Sequence, residues 1–323
     1  MNILITGCAG FIGFHLANRL TVQKKYNIIG IDNLNNYYDV NIKKQRLKIL
    51  KSISNFNYIK CDLNQKIKLK KIFTKYKFKI VINLAAQAGV RYSITNPDKY
   101  FDANLSGFFN ILENCKEFKV EHLLFASTSS VYGKSTKFPL KEQENTDRPI
   151  SFYAATKKCN EIMAYSYSSV YNLRTTALRF FTVYGPYGRP DMSLFKFVDS
   201  IFKNKKIDLY NKGDHIRDFT YVDDVVESIF RLIKAKYIKN KPYEVFNIAS
   251  NNPKKLRYFL KLIEKNMQKK SSKNLLKLQK GDIYKTHGDN EKLFYATKYK
   301  PKYKIEAGIN KFINWYLYDY TNT

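Results

Sequence analysis

Apolar residues recur along this chain in short blocks separated by polar and glycine-containing turns. Asn2 to Thr6 reads Asn-Ile-Leu-Ile-Thr, a short apolar run bounded by glycine, which predicts a buried strand. Gly7, Gly10 and Gly13 follow, and Phe14 to Leu20 reads as a helix. A second strand is predicted over Tyr26 to Ile31, ending in Asp32, a third over Tyr58 to Lys60, and a fourth over Lys79 to Leu84. Strand and helix patterns alternate through this half, which points to an α/β fold. No repeat and no long linker interrupts it.

Composition narrows the class. A chain of 323 residues is long enough for two lobes with a shared cleft. No run approaches the roughly 20 apolar residues of a membrane helix, so no membrane partner is expected. The first strand is predicted to begin at residue 2, so no signal or transit peptide is expected. Cys8, Cys61, Cys115 and Cys159 are scattered and match neither a disulfide framework nor a metal spacing, so no metal and a reduced, cytoplasmic setting are expected. The formal net charge of +30 invites a nucleic-acid reading. Only ten of the 57 basic residues are arginine, however, and stretches such as Lys66 to Lys79 lack the planar fork that reads phosphates and bases. The excess is read as lysine on solvated faces, and no specific nucleic-acid partner is expected.

Two constellations carry chemistry. In the first, strand, glycine turn and helix occur in the order a dinucleotide site requires. Gly7 permits the tight turn, Gly10 lets backbone approach a pyrophosphate, and Gly13 lets the helix pack close with its N-terminus toward the phosphates. Asp32 stands where a carboxylate would accept hydrogen bonds from an adenosine ribose and repel a 2′-phosphate, favouring NAD over NADP. Asn33 and Asn36 are candidates for the same ribose, and Asp62 for the adenine edge. Ala85, Ala86 and Gln87, after the fourth strand, would let a dinucleotide lie against backbone.

The second constellation spans Ala126 to Lys157. It reads Ala-Ser-Thr-Ser-Ser-Val-Tyr-Gly, a polar loop, then Tyr-Ala-Ala-Thr-Lys. Tyr153 and Lys157 are four apart, so on a helix they share a face. An ammonium beside a phenol is expected to lower its pKa from about 10 toward working pH. With a hydroxyl from Thr128 this would take a proton off an alcohol while hydride leaves its carbon.

With both ends in place, nearly the whole chain resembles the extended short-chain dehydrogenase/reductases, the nucleotide-sugar epimerase and dehydratase group. The resemblance is carried by the segments 31–39 (IDNLNNYYD), 85–91 (AAQAGVR), 179–186 (RFFTVYGP), 188–192 (GRPDM) and 217–224 (RDFTYVDD), and it leans to the uronate 4-epimerase branch. It implies a Rossmann domain, a doubly wound parallel sheet over residues 1–181, and a smaller C-terminal substrate-binding lobe over 182–323. Residues of about 218–250 would return to the first domain. Strands are expected at Thr175 to Phe181 and Val245 to Ala249. It further implies that Phe11, Ile12, Leu63, Leu84, Asn104 and Phe180 join the NAD site, with Tyr153 and Lys157. A UDP-sugar would be held by Arg91, Thr128, Ser129, Ser130, Thr182, Arg189, Lys196, Tyr210 and Arg217. Family members are commonly homodimers, and helices at about 99–116 and 154–171 would pair through Phe108, Leu112, Met163 and Tyr167.

The residues after Thr128 discriminate the reaction. Related 4,6-dehydratases carry an Asp-Glu pair there, and uronate decarboxylases a Glu. Ser129 and Ser130 cannot run such acid/base steps, but they can donate to a substrate carboxylate. Arg189 could grip that carboxylate with two hydrogen bonds. The expected reaction is C4 epimerisation of UDP-glucuronate to UDP-galacturonate through a 4-keto sugar. A 4-epimerase for neutral UDP-sugars, a uronate decarboxylase and a non-catalytic NAD-binding protein stay open.

Overall fold

The computed structural model describes residues 1–235, 242–279 and 281–321. Strands are β1 Asn2–Thr6, β2 Asn27–Asp32, β3 Phe56–Lys60, β4 Ile80–Asn83, β5 His122–Thr128, β6 Thr175–Phe180, β7 Thr182–Tyr184, β8 Ile207–Leu209, β9 Ile216–Tyr221, β10 Tyr243–Ile248, β11 Pro253–Lys255 and β12 Lys273–Leu275. Helices are α1 Phe11–Thr21, α2 Val40–Lys51, α3 Lys66–Tyr76, α4 Tyr92–Thr95, α5 Pro97–Tyr100, α6 Gly107–Glu117, α7 Phe152–Tyr171, α8 Ser193–Phe202, α9 Val222–Lys234, α10 Leu256–Asn266, α11 Glu291–Thr297 and α12 Ile305–Trp315.

Seven strands form one parallel sheet in the order β10-β6-β5-β4-β1-β2-β3. Successive strand residues point to opposite faces. Ile3 and Ile5 therefore enter the core beneath α1, α2 and α9, while Leu4 enters the one beneath α3, α6 and α7. Both faces are covered, which is why these strands read as apolar runs rather than as alternation. Strand order reverses between β1 and β4, so the carboxyl ends of these strands open a crevice, the usual ligand position in such sheets.

A second, three-stranded sheet has the order β11-β9-β7, and β12 pairs with β8. Its core is aromatic: Phe219 stacks on Phe259 at 4.1 Å, with Tyr184 edge-on to both. This sheet is joined to the first at the carboxyl end of β6, which runs into β7 after one residue. The chain then returns to the first layer through α9, which packs on α1, and through β10.

The helix expected over 99–116 is broken. A π-helical turn at Phe101–Ser106 separates α5 from α6, and it carries Asn104 inward. Phe108 and Leu112, expected at a subunit interface, are instead fully buried in the core beneath α6. Met163 and Tyr167 pack partly against that same core. The apolar residues these helices expose are others, among them Phe101, Phe109 and Ile162. The four cysteines are unpaired, and only Cys159 is exposed. Among the described residues no helix is long and apolar enough to cross a membrane, and no group of side chains could hold a metal ion.

Candidate active site

A cleft of about 1160 Å³ opens above the carboxyl ends of β1, β2, β4 and β5. It exceeds the ~300–1,000 Å³ of most small-molecule pockets, as a site for two nucleotides would.

At its β1 end, Gly7 has φ +70, and its N–H donates to the Ile31 carbonyl at 2.7 Å. A Cβ on Gly13 would lie 2.1 Å from the Gly7 oxygen, so only glycine lets α1 start directly on the turn. Gly10 caps α1 without a side chain, which leaves the first N–H groups of the helix to an outside acceptor. Phe11 and Ile12 line the cleft beside it. Asp32 is buried at the end of β2, where it accepts the N–H groups of Ala9 at 3.1 Å and Leu34 at 2.8 Å. Burial raises its pKa, while those amides, Lys43 and Arg46 oppose the rise. Asn33 donates to Asp62 at 2.6 Å, and Asp62, Leu63, Leu84, Ala85, Ala86, Gln87 and Phe180 complete this wall. Glycines without room for a side chain, open helix N–H groups and a buried ribose-height carboxylate fit a dinucleotide.

Two expected contacts lie elsewhere. Asn36 is exposed and lines no part of the cleft. Leu34 at φ 55 and the turns closed by Asn33 and Asn35 curl the segment, and Asn35, itself exposed, lines the cleft instead. Asn104 sits behind the wall, where its amide bonds both the N–H and the carbonyl of Gln87, at 2.8 and 3.0 Å. It fixes the wall and does not form it. The sequence reading missed Tyr37, Tyr38 and Lys43. Lys43 bonds the backbone and side chain of Asn35 at 2.7 and 2.8 Å, and burial pushes its pKa down to about 8. Nothing in its spacing distinguishes it from the many surface lysines.

Thr128 ends β5. Ser151 caps α7 by accepting the Ala154 N–H at 3.2 Å, which places Tyr153 in the first turn and Lys157 one turn deeper. Thr128, Tyr153 and Lys157 all line the cleft. The electrostatics differ from the sequence expectation. Burial raises the Tyr153 pKa, and the Thr128 hydroxyl and Arg189 only oppose that rise. Burial also drives Lys157 down to about 8, against the pull of Glu161. Desolvation is thus the largest effect at both Tyr153 and Lys157.

Ser129, Ser130 and Thr182 line the same cleft, and the Ser130 N–H donates to Thr128 Oγ1 at 3.2 Å. Arg189 is present but engaged. Its Nε donates to Asp191 Oδ1 at 2.9 Å and its Nη2 to Asp191 Oδ2, while Tyr37 donates to the same carboxylate at 3.1 Å. One edge of the guanidinium is thus used within the chain. Among the described residues, its other terminal nitrogen, Nη1, has no hydrogen-bond partner. Just behind, the buried Arg46 donates to the carbonyls of Ala9, Tyr187 and Gly188, tying the glycine turn to this segment.

The far end holds Arg91, Lys196, Tyr210 and Arg217, with Phe197, His215 and Asp282. Arg91 pairs with Asp282 at 2.9 Å and lies 4.3 Å above the Tyr210 ring. Arg217 donates to the carbonyls of Ile216 and Tyr284, and burial pulls its pKa down to about 10. Three cations and an aromatic ring suit a nucleoside diphosphate.

Comparison with known proteins gives one direction. Residues 3–249 match the family described as NAD dependent epimerase/dehydratase. The chain is 49% identical to Protein CapI of Staphylococcus aureus, over 98% of each chain. It is 42% identical to a probable UDP-glucuronate 4-epimerase of Rhizobium meliloti, over 99% of this chain and 98% of the relative. Among solved structures, UDP-glucuronic acid 4-epimerase from Bacillus cereus, in complex with UDP-glucuronic acid and NAD, superposes with a TM-score of 0.93 at 31% identity, over 98% of each chain.

Proposed function

This chain belongs to the NAD dependent epimerase/dehydratase family, and we propose that it interconverts UDP-glucuronate and UDP-galacturonate by inverting C4 of the sugar. It is a nucleotide-sugar 4-epimerase and its cofactor is NAD. The observation that carries the uronate reading is local: Ser129, Ser130, Thr182 and Arg189 share one cleft with Tyr153, and no carboxylate follows Thr128.

NAD, when bound, supplies the hydride acceptor and returns the hydride. The chain supplies the rest. Tyr153 takes the proton of the 4-hydroxyl and gives it back on the opposite face, and Thr128 holds that hydroxyl in line. Lys157 lends positive charge to the phenol, which the bound cofactor completes. Arg91, Lys196, Tyr210 and Arg217 keep the nucleotide in place while the 4-keto sugar turns about its diphosphate link. A 4-keto uronate is a β-keto acid and loses CO₂ when its carboxylate bond aligns with the carbonyl π system. Ser129, Ser130, Thr182 and the open edge of Arg189 hold the carboxylate out of that alignment, so geometry protects the intermediate.

A homodimer in the cytoplasm belongs to the same reading. The exposed apolar residues Phe101, Phe109 and Ile162 and the unpaired cysteines support it. The test is product analysis by mass and chromatography with UDP-glucuronate and with UDP-glucose. UDP-galacturonate is the expected product. A UDP-pentose from UDP-glucuronate, or turnover of UDP-glucose alone, would reject the uronate epimerase.

A further inference from the structure

Behind the reacting residues lies a closed polar cluster that the mechanism above does not use. Glu161 stands one turn beyond Lys157 and two beyond Tyr153, on the same face of α7. Its carboxylate accepts Ser127 Oγ at 2.5 Å, Arg179 Nε at 2.9 Å and Arg179 Nη2 at 2.8 Å. Ser127 immediately precedes Thr128 on β5, and Arg179 is its register partner on β6. Ser127, Glu161, Arg179 and Lys157 are each at most 3% exposed.

A buried ion pair is weak evidence for stability, because desolvation offsets most of its attraction. This one does something else geometrically. Three elements meet at one carboxylate: the helix that carries Tyr153 and Lys157, the strand end that carries Thr128, and the strand that leads to Thr182. We infer that Glu161 is a positioning residue for the epimerase reaction, fixing the separation of Tyr153 from Thr128 and supplying the buried counter-charge of Lys157. The inference rests on the reading of Thr128, Tyr153 and Lys157 as the reacting residues.

Lys157 and Arg179 are buried; Glu161 pairs with Arg179 at 2.8 Å and stands one helical turn from Lys157. Among the groups around Lys157 it is the one whose charge raises that lysine's pKa against burial. The other ionisable or charged groups packed around this cluster are Tyr153 on α7, Tyr132 on the turn after β5, whose ring Arg179 covers at 4.8 Å, Glu142 in the following loop, and Tyr243 on β10. With Glu161 neutral, the carboxylate that favours the charged form of Lys157 would be gone. Lys157, the more easily deprotonated, would give up its proton at lower pH.

Glu161→Gln keeps the size of the side chain and removes its charge. The expected result is a kcat lowered about tenfold or more at pH 7.5, with KM for the UDP-sugar within about twofold of wild type. The alkaline limb of the kcat profile should move down by about one pH unit. NAD affinity measured by calorimetry should weaken with pH along the same displaced limb, a readout independent of turnover. Ser127→Ala leaves the ion pair whole and cuts only the link to β5, so it should lower kcat several-fold with the alkaline limb unmoved. Glu161→Asp, which retains the charge, should return the limb toward wild type. If Glu161→Gln does not fold, the Ser127→Ala and Glu161→Asp arms decide the matter alone. A wild-type pH profile and a kcat within twofold in the variants, with any change confined to melting temperature, would overturn the inference and reduce Glu161 to a fold-stabilising residue. Full activity of Tyr153→Phe would instead remove the reading on which the inference stands, so the two failures are distinguishable.

Discussion

Lys157→Met separates the burden of the cleft lysine from its proposed use. Lys157 is 2% exposed, and burial lowers its pKa from 10.5 to about 8. The folded state therefore binds this proton less tightly than the unfolded chain does. In the window between about pH 8 and 10.5 the unfolded state carries more of the proton, so this group's contribution to stability rises with pH there and is lost as pH falls through 8. At pH 7 the protein holds a buried ammonium at a cost of about 3 kcal/mol, and at pH 10 about 1 kcal/mol remains. Methionine has nearly the same length and no charge, and Glu161 keeps its partner in Arg179. In the absence of NAD the variant should melt about 5 °C above wild type at pH 7 and only about 1 °C above it at pH 10, taking the usual unfolding entropy for a chain of this size. The same variant should lose turnover by about 10²-fold or more, since the phenol then lacks its neighbouring cation. Differential scanning calorimetry at the two pH values, paired with a turnover assay, checks both. A variant less stable than wild type at pH 7, or a difference that does not shrink toward pH 10, would refute the reasoning that burial dominates at Lys157.

Three further outcomes follow from the cleft. Asp32→Ala should weaken NAD and narrow its advantage over NADP, since charge-assisted hydrogen bonds to a ribose contribute about 1.5–3 kcal/mol each; calorimetric titration with both cofactors measures it, and an unchanged preference would assign selectivity to another residue such as Lys43. Arg189→Ala should reduce kcat/KM for UDP-glucuronate far more than for UDP-glucose and release some UDP-linked 4-keto-pentose, detected by mass; equal losses on the two sugars would assign Arg189 to the fold or the diphosphate. Tyr153→Phe should lower kcat by about 10² to 10⁴ while NAD stays bound, and near-wild-type activity would remove the phenol from the chemistry.

What the sequence made legible is what depends on backbone and order. The glycine spacing, the apolar runs of β1, β2 and β4 and the four-residue step from Tyr153 to Lys157 each constrain local geometry, and local geometry put them in the cleft. The rest depended on long-range packing. Arg189 reads as a free fork until Asp191, two residues on, is seen to occupy one edge of it. Asn36 and Asn35 are indistinguishable in sequence until the turn at Leu34, with its positive φ, shows which one lines the cleft. Lys157 reads as an activator of Tyr153 from spacing alone, and spacing does not report the burial that raises the phenol's pKa and lowers the lysine's. Phe108 and Leu112 look like an interface because apolar periodicity says which residues share a face and not what that face meets.

The most direct test of C4 inversion through a 4-keto sugar follows the hydrogen on that carbon. UDP-glucuronate carrying deuterium at C4 is incubated with the purified enzyme in ordinary water, and the product is isolated and analysed by NMR and mass. Retention of deuterium at an inverted C4, with CO₂ retained, is expected, because the hydride leaves and returns within one closed cleft while Tyr153 exchanges only the hydroxyl proton. Loss of the label to solvent, or a product lighter by CO₂, would contradict it.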